Sequence, residues 1–105
     1  MYAVIFRAKT GVQDEEYGAT VSRMRELAFA KYGCLDFVAV TEGPDEIAIS
    51  YWKDEEAIRR WKSDAEHLLA QEYGRSRWYE SYIVQVVEIK REYEFNTQQV
   101  EAPEC

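Results

Sequence analysis

Apolar and polar positions alternate from the start of the chain. Tyr2, Val4 and Phe6 fall on one side of an extended segment over residues 2–9, and Ala3 and Ile5 fall on the other. This predicts a strand with apolar groups on both faces. Gly11 ends it. Asp14 then offers an N-cap, and Glu15 and Glu16 sit where a helix dipole favours negative charge. Tyr17, Val21, Met24, Leu27 and Ala28 recur at helical spacing, so a helix is expected over 14–32, closed by Gly33. Residues 34–42 read as a second strand. Gly43-Pro44-Asp45 is a turn, and a third strand follows in which Ile47, Ile49 and Tyr51 alternate with Ala48, Ser50 and Trp52. The second and third strands form a hairpin.

The pattern then returns to helical spacing. Asp54 caps a short helix carrying Ala57, Ile58 and Trp61 on one face. Ser63 and Glu66 fit a capping box for a second helix, which is expected to bury Ala65, Leu68 and Leu69 and to stop at Gly74. One interrupted helical region over 54–73 results. Residues 75–79 connect it to a fourth strand over about 80–93, with Tyr82, Val84 and Val86 on one face and Ile83, Val87 and Ile89 on the other. The order β-α-β-β-α-β is that of a ferredoxin-like α+β domain, expected over 1–93. Residues 94–105 are polar and without period, and read as a tail or arm.

Strands one and four are apolar on both faces through their middles. Two helical segments can cover one face of the sheet. The chain has no further layer for the other, so a second copy packed sheet against sheet is expected, making a homodimer.

Composition narrows the classes. The 105 residues carry a net charge of −7, which argues against nucleic-acid binding and against attachment to an anionic membrane. No apolar run reaches the roughly 18 residues of a membrane span, and the first residues lack the pattern of a signal peptide. Two cysteines, Cys34 and Cys105, do not make a disulfide framework, and a cytosolic location with reduced thiols is the simplest expectation. His67 is the single histidine, and no Cys or His pair has zinc-ligand spacing, so no metal site is expected.

Several motifs carry a resemblance. They are Ser50-Tyr51-Trp52-Lys53-Asp54-Glu55-Glu56-Ala57-Ile58-Arg59-Arg60-Trp61, then Ala65-Glu66-His67-Leu68-Leu69-Ala70-Gln71, Gly74-Arg75 and Trp78-Tyr79-Glu80-Ser81-Tyr82. A strand ending in Trp, an acidic helix start, a Trp nine residues on, a His in the next helix, a Gly-Arg step and an aromatic entry to the last strand resemble the antibiotic biosynthesis monooxygenase family over about residues 2–93. The resemblance implies a dimeric α+β barrel with an apolar pocket between sheet and helices in each protomer. Members of that family include cofactor-independent oxygenases of polycyclic phenols, proteins acting on quinols, and haem-degrading proteins. It therefore implies either an oxidoreductase acting with molecular oxygen on a small aromatic, phenol or quinol, without a cofactor, or a non-catalytic dimer of the same build that binds a ligand or, as a lesser alternative, haem.

Candidate residues follow. His67 matches a family position and could take a proton from a phenol, because an ordinary imidazole titrates near neutrality. It could equally be a structural histidine beside the Leu68/Leu69 stripe. Trp61 is expected to line the pocket. Trp52 and Trp78 could join it or fill the core. Tyr82 and Arg75 are candidates to stabilise a developing anion, and Arg75 could equally be a surface cation. Tyr79, Phe6 and Gln71 complete the expected ligand-binding set. Gln71 lies one turn after His67, so the two share a side.

The sequence also departs from the active branches. The haem-degrading branch places Asn at the end of its first strand and a ligating His ten residues after the helical Trp; Arg7 and Gln71 stand at those places here. The phenol-oxidising branch uses a polar set containing Asn, and the only Asn in this chain is Asn96.

Overall fold

The computed structural model describes residues 1–97. Four strands and three helices follow one another as β1 (Tyr2–Thr10), α1 (Glu15–Ala30), β2 (Asp36–Glu42), β3 (Asp45–Trp52), α2 (Glu55–Lys62), α3 (Ala65–Tyr73) and β4 (Tyr79–Glu88). A single π-helical turn, Gly74–Trp78, joins α3 to β4. The sheet order is β2-β3-β1-β4, and every neighbouring pair is antiparallel. This is the α+β ferredoxin-like fold that the alternation predicts.

The helix starts follow local chemistry. The Asp14 carboxylate accepts from the Tyr17 amide, and the Asp54 carboxylate accepts from the Ala57 amide. At α3 the expected Ser63–Glu66 capping box does not form. Asp64 caps instead, accepting from the Glu66 amide at 2.8 Å, while the Glu66 carboxylate is held by Arg23 at 2.9 Å. A carboxylate is the stronger acceptor, and a guanidinium competes for the side chain the box needs. Gly33 and Gly43 take left-handed φ values of 77° and 58°, which fit them for the turns after α1 and between β2 and β3.

Three further boundaries differ from expectation. β4 stops at Glu88, not 93, because its partner β1 starts at Tyr2, which pairs with Glu88. The chain past Tyr73 does not stop helically at Gly74 but widens into the π turn. β2 begins at Asp36, two residues late, since the Cys34 amide is used by the Ala28 carbonyl after α1. Of the expected tail, residues 98–105, with Cys105, lie outside the described residues.

The core sits between the sheet and the helices. Val4, Leu27, Ala28, Cys34, Trp52, Ile58 and Trp61 form its centre. Trp52 is fully buried, its ring 5.0 Å from that of Trp61, and its Nε1 donates to Ser50 Oγ at 2.8 Å. α2 buries Ile58 and Trp61 as its pattern predicts. α3 does not follow its pattern. Leu68 and Leu69 are 52% and 50% exposed, and Ala65 is exposed. The helix is turned so that His67, Ala70 and Gln71, with Gly74 after them, face the sheet instead.

Among the described residues no helix covers the opposite sheet face. Val38, Val40, Ile47, Ile83 and Val87 stand there partly or largely exposed. The register places Ile5 beside Ile49, and Ile49 beside Val38, at its centre. No helix among the described residues is long and apolar enough to cross a membrane.

Candidate active site

A cavity of about 180 Å³ lies between the helix-covered sheet face and α1, α2 and α3. Its existence follows from side-chain size. Ala39 and Ala48 are direct cross-strand partners on the floor, and Ala70 and Gly74 face them from the roof. Larger residues at these points would fill the space. Val4, Phe6, Val84, Val21 and Met24 supply apolar walls. An apolar cavity of roughly 150 Å³ suffices for a benzene ring, so this one suits a small aromatic.

Of the expected site residues, His67, Gln71, Trp61, Trp78, Tyr79, Tyr82 and Phe6 all border this cavity. Trp52 does not; it lies behind Trp61 in the core. Arg75 is not in the wall either. Its guanidinium lies on the exposed side of α3, 3.4 Å from Gln71 Oε1. That contact has a consequence inside. With Oε1 turned to a cation, the amide nitrogen of Gln71 faces His67 Nδ1 at 3.2 Å. Nδ1 then accepts, and Nε2 carries the ring proton.

The His67 ring packs edge-on against Trp61, with centroids 4.5 Å apart. Burial, reinforced by the positive charge of Lys62 and opposed by Asp64, lowers its pKa to about 4. The imidazole is therefore neutral at pH 7, and it is a weaker base than the ordinary histidine that the sequence suggests. The lowered value also makes a stability prediction. The unfolded chain, with an ordinary histidine near 6.5, binds a proton that the folded chain refuses between about pH 6.5 and 4. Stability thus falls as pH drops through that window, by up to about 3 kcal/mol. Urea titrations of wild type and His67→Gln across pH 4–7 should converge at the acid end, and parallel curves would refute this role for burial.

At the other end of the cavity stands an aromatic cluster. Phe6 lies 5.2 Å from Tyr79 and 5.4 Å from Tyr82, and Tyr17 packs edge-on to Trp78 at 5.6 Å. Trp78 is buried, and its Nε1 has no hydrogen-bond partner among the described residues. Two polar groups here were not anticipated. Tyr17 Oη donates to the carboxylate of Glu46, and Tyr79 Oη donates to Tyr17 Oη at 3.3 Å. Burial and the neighbouring Glu46 push the Tyr17 pKa up to about 12, and burial raises that of Tyr79 as well. A sequence signal for Glu46 existed. Trp52, Ser50 and Ala48 alternate inward along β3, and continuing the alternation puts a carboxylate in phase with the core.

The residues do not fit a haem held in the manner of the haem-degrading branch. Gln71 occupies the place of the ligating histidine, and Arg7 points to the far face of the sheet, in register with Ile47 and Ile83. Among the described residues no cluster of three His, Cys, Asp or Glu side chains is arranged to hold a metal ion.

Known proteins are similar to this chain in both sequence and structure. The protein YqjZ of Bacillus subtilis (strain 168), itself uncharacterised, is 42% identical over 92 residues, spanning 87% of this chain and 81% of that protein. SnoaB of Streptomyces nogalater, a cofactor-independent oxygenase, superposes with a TM-score of 0.73 at 14% identity, covering 87% of this chain and 94% of SnoaB. Rv0793 of Mycobacterium tuberculosis superposes at 0.72 and 17% identity, covering 87% and 96%. At such identities the two superpositions speak for the fold alone. The family model for antibiotic biosynthesis monooxygenase matches residues 1–73. Family model and close relative agree with the fold: this chain belongs to the antibiotic biosynthesis monooxygenase family.

Proposed function

We propose that the protein is a cofactor-independent monooxygenase of small phenols or quinols, working as a homodimer. The observation that carries this reading is the cavity itself: an apolar, aromatic-walled space with polar groups at its two ends, His67 and Gln71 at one and Tyr79, Tyr82 and Glu46 at the other. The chemistry needs little more from the protein. When a phenol becomes a quinone, the ring C–H is replaced by C=O, one atom of O₂ stays on the ring and the other leaves as water. The substrate supplies all the electrons, so no external reductant enters. The protein's part is to exclude water, hold the ring and accept the phenolic proton. In this scheme His67 and Tyr82 bind the polar atoms of the substrate, Trp61, Trp78, Tyr79 and Phe6 grip the ring, and Gln71 with Arg75 sets the His67 tautomer.

The homodimer rests on the uncovered apolar sheet face, where Val40 and Ile83 are 61% and 50% exposed. A second copy laid across it would bury the face without further chain. Residues 1–93 form the working domain, in a cytosolic protein whose Cys34 stays reduced.

Oxygen uptake with a panel of naphthoquinols and anthrones tests the activity. Wild type should consume O₂ faster than the uncatalysed reaction. Ala48→Leu, which fills the cavity floor and leaves every titratable group in place, should lose at least about tenfold in kcat/KM while gaining about 1 kcal/mol in stability. Uptake no faster than without protein for every compound, alongside saturable quenching of tryptophan fluorescence, would reject the enzyme reading in favour of a binding module.

A further inference from the structure

Glu46 is the one carboxylate among the described residues in the cavity wall. Tyr79, also in the wall, donates to Tyr17, and Tyr17 donates to Glu46. Three groups from β4, α1 and β3, distant in sequence, thus form a continuous chain from the cavity to a carboxylate. Glu46 also borders an open groove on the other side, lined by Arg7, Lys9, Asp45 and Ser81. The chain therefore joins the cavity to that groove, which Val40, Ile47 and Ile83 also line and which a second copy would cover. His67 stands apart from the chain in the hydrogen-bond network, its side-chain partner being Gln71.

We propose that Glu46 is the proton acceptor of this cavity, reached through Tyr79 and Tyr17, and that the ligand is an aromatic whose hydroxyl docks at this end. This rests on the reading above that the cavity takes a phenol or quinol. The step is a proton relay. The ligand hydroxyl gives its proton to Tyr79 Oη, Tyr79 passes its own to Tyr17, and Tyr17 passes its own to Glu46. Three O–H bonds break and three form. The ligand becomes a phenolate, Glu46 becomes a neutral acid, and no electron moves.

Charge bookkeeping favours this route over His67. Transfer to a carboxylate moves one negative charge and creates none. Transfer to His67 would make a cation and an anion together in an apolar space, with Lys62 already close to the ring. Both tyrosines hold their protons at neutral pH, as relay groups must. Trp78 packs edge-on against Tyr17 and so helps to hold the middle member of the relay in place.

The test uses 2-naphthol and naphthalene as probes of the full-length protein. Excited 2-naphthol is a strong acid and emits as naphtholate only where an acceptor is within hydrogen-bond reach. Bound to wild type it should emit as naphtholate. In Glu46→Gln, naphtholate emission should fall roughly tenfold, with partial recovery in Glu46→Asp. Tyr79→Phe should lose most of an approximately tenfold preference for 2-naphthol over naphthalene. Unchanged naphthalene affinity in each variant shows that the cavity is intact. Naphtholate emission that survives Glu46→Gln, or that disappears only in His67→Ala, overturns the proposal. Bound naphthol that never ionises in wild type does so too. If these results hold but no quinol drives oxygen uptake, the oxygenase reading fails and the relay stands; if neither probe binds, both fail.

Discussion

Trp52→Ala should remove about 4–5 kcal/mol from the folding free energy. Trp52 is fully buried at the centre of the core, with Trp61 stacked on it at 5.0 Å. Truncating a buried Trp to Ala typically costs about 3–5 kcal/mol through lost transfer energy and the cavity left behind. A second cost is specific to this site. The indole Nε1 donates to Ser50 Oγ, and Ser50 is itself buried. Removing the indole leaves a buried hydroxyl without its partner, worth about 1 kcal/mol or more. A domain of this size has only about 5–15 kcal/mol in all, so the melting temperature should fall by roughly 20 °C. Trp52→Phe separates the two terms, because it keeps most of the buried ring and loses the hydrogen bond. Urea denaturation of both variants gives the comparison, and a loss below 1 kcal/mol in Trp52→Ala would contradict the packing described. The loss should propagate to the site, since Trp61 and, through it, His67 rest on Trp52.

The second large effect concerns assembly. The double substitution Val40→Lys with Ile47→Glu should convert the proposed dimer to a monomer that keeps its fold. The two positions are direct cross-strand partners on the uncovered sheet face, and Val40 is largely exposed in the single chain. In the free protomer the introduced charges are of opposite sign and face each other, a mildly favourable cross-strand pair. In a sheet-to-sheet interface the same charges lose their water. The desolvation cost of several kcal/mol raises the dissociation constant by roughly a thousandfold or more. Sedimentation velocity of wild type and variant measures this directly. Identical dimeric profiles, or a wild type that is monomeric at high micromolar concentration, would show that something other than a second copy covers this face.

The two periodicities differ in how well they reveal this protein. Strand alternation carries direction as well as identity, because a residue's face is fixed by parity alone. Ile47, Ile49 and Tyr51 are thus separated from Ala48, Ser50 and Trp52 in the sequence as they are in the sheet. The β-α-β-β-α-β order, the hairpin and the two-sided apolar strands were legible for that reason. α3 was not, because a helix offers overlapping stripes. Ala65, Leu68 and Leu69 make the more apolar stripe, which by pattern belongs in the core; His67, Ala70, Gln71 and Gly74 make another, and this is the one that faces the sheet. A cavity inverts the usual inference, since the side lining it is small and partly polar. Seven of the nine expected site residues border that cavity, Trp52 and Arg75 being the ones set back from it. The Glu46–Tyr17–Tyr79 chain joins positions 29 and 62 residues apart. Only the superposition of α1 on the sheet brings them together, and no local spacing encodes it.

The place of β1 in the sheet also shapes how the molecule comes into being on the ribosome. Both of its neighbours, β3 and β4, lie later in the chain, and the β4 partner ends at Glu88. During synthesis β1 emerges before both of these partners, and its edge against β4 is paired last. Until Tyr79–Glu88 has left the exit tunnel, β1 keeps one open edge with apolar side chains on both faces, the arrangement most exposed to pairing with a foreign strand. Contacts that close across nearly the whole chain also slow the search for the native pairing. Conditions that lengthen the wait for β4, such as slow translation of residues 53–88, should therefore lower the yield of folded protein without altering the stability of what does fold.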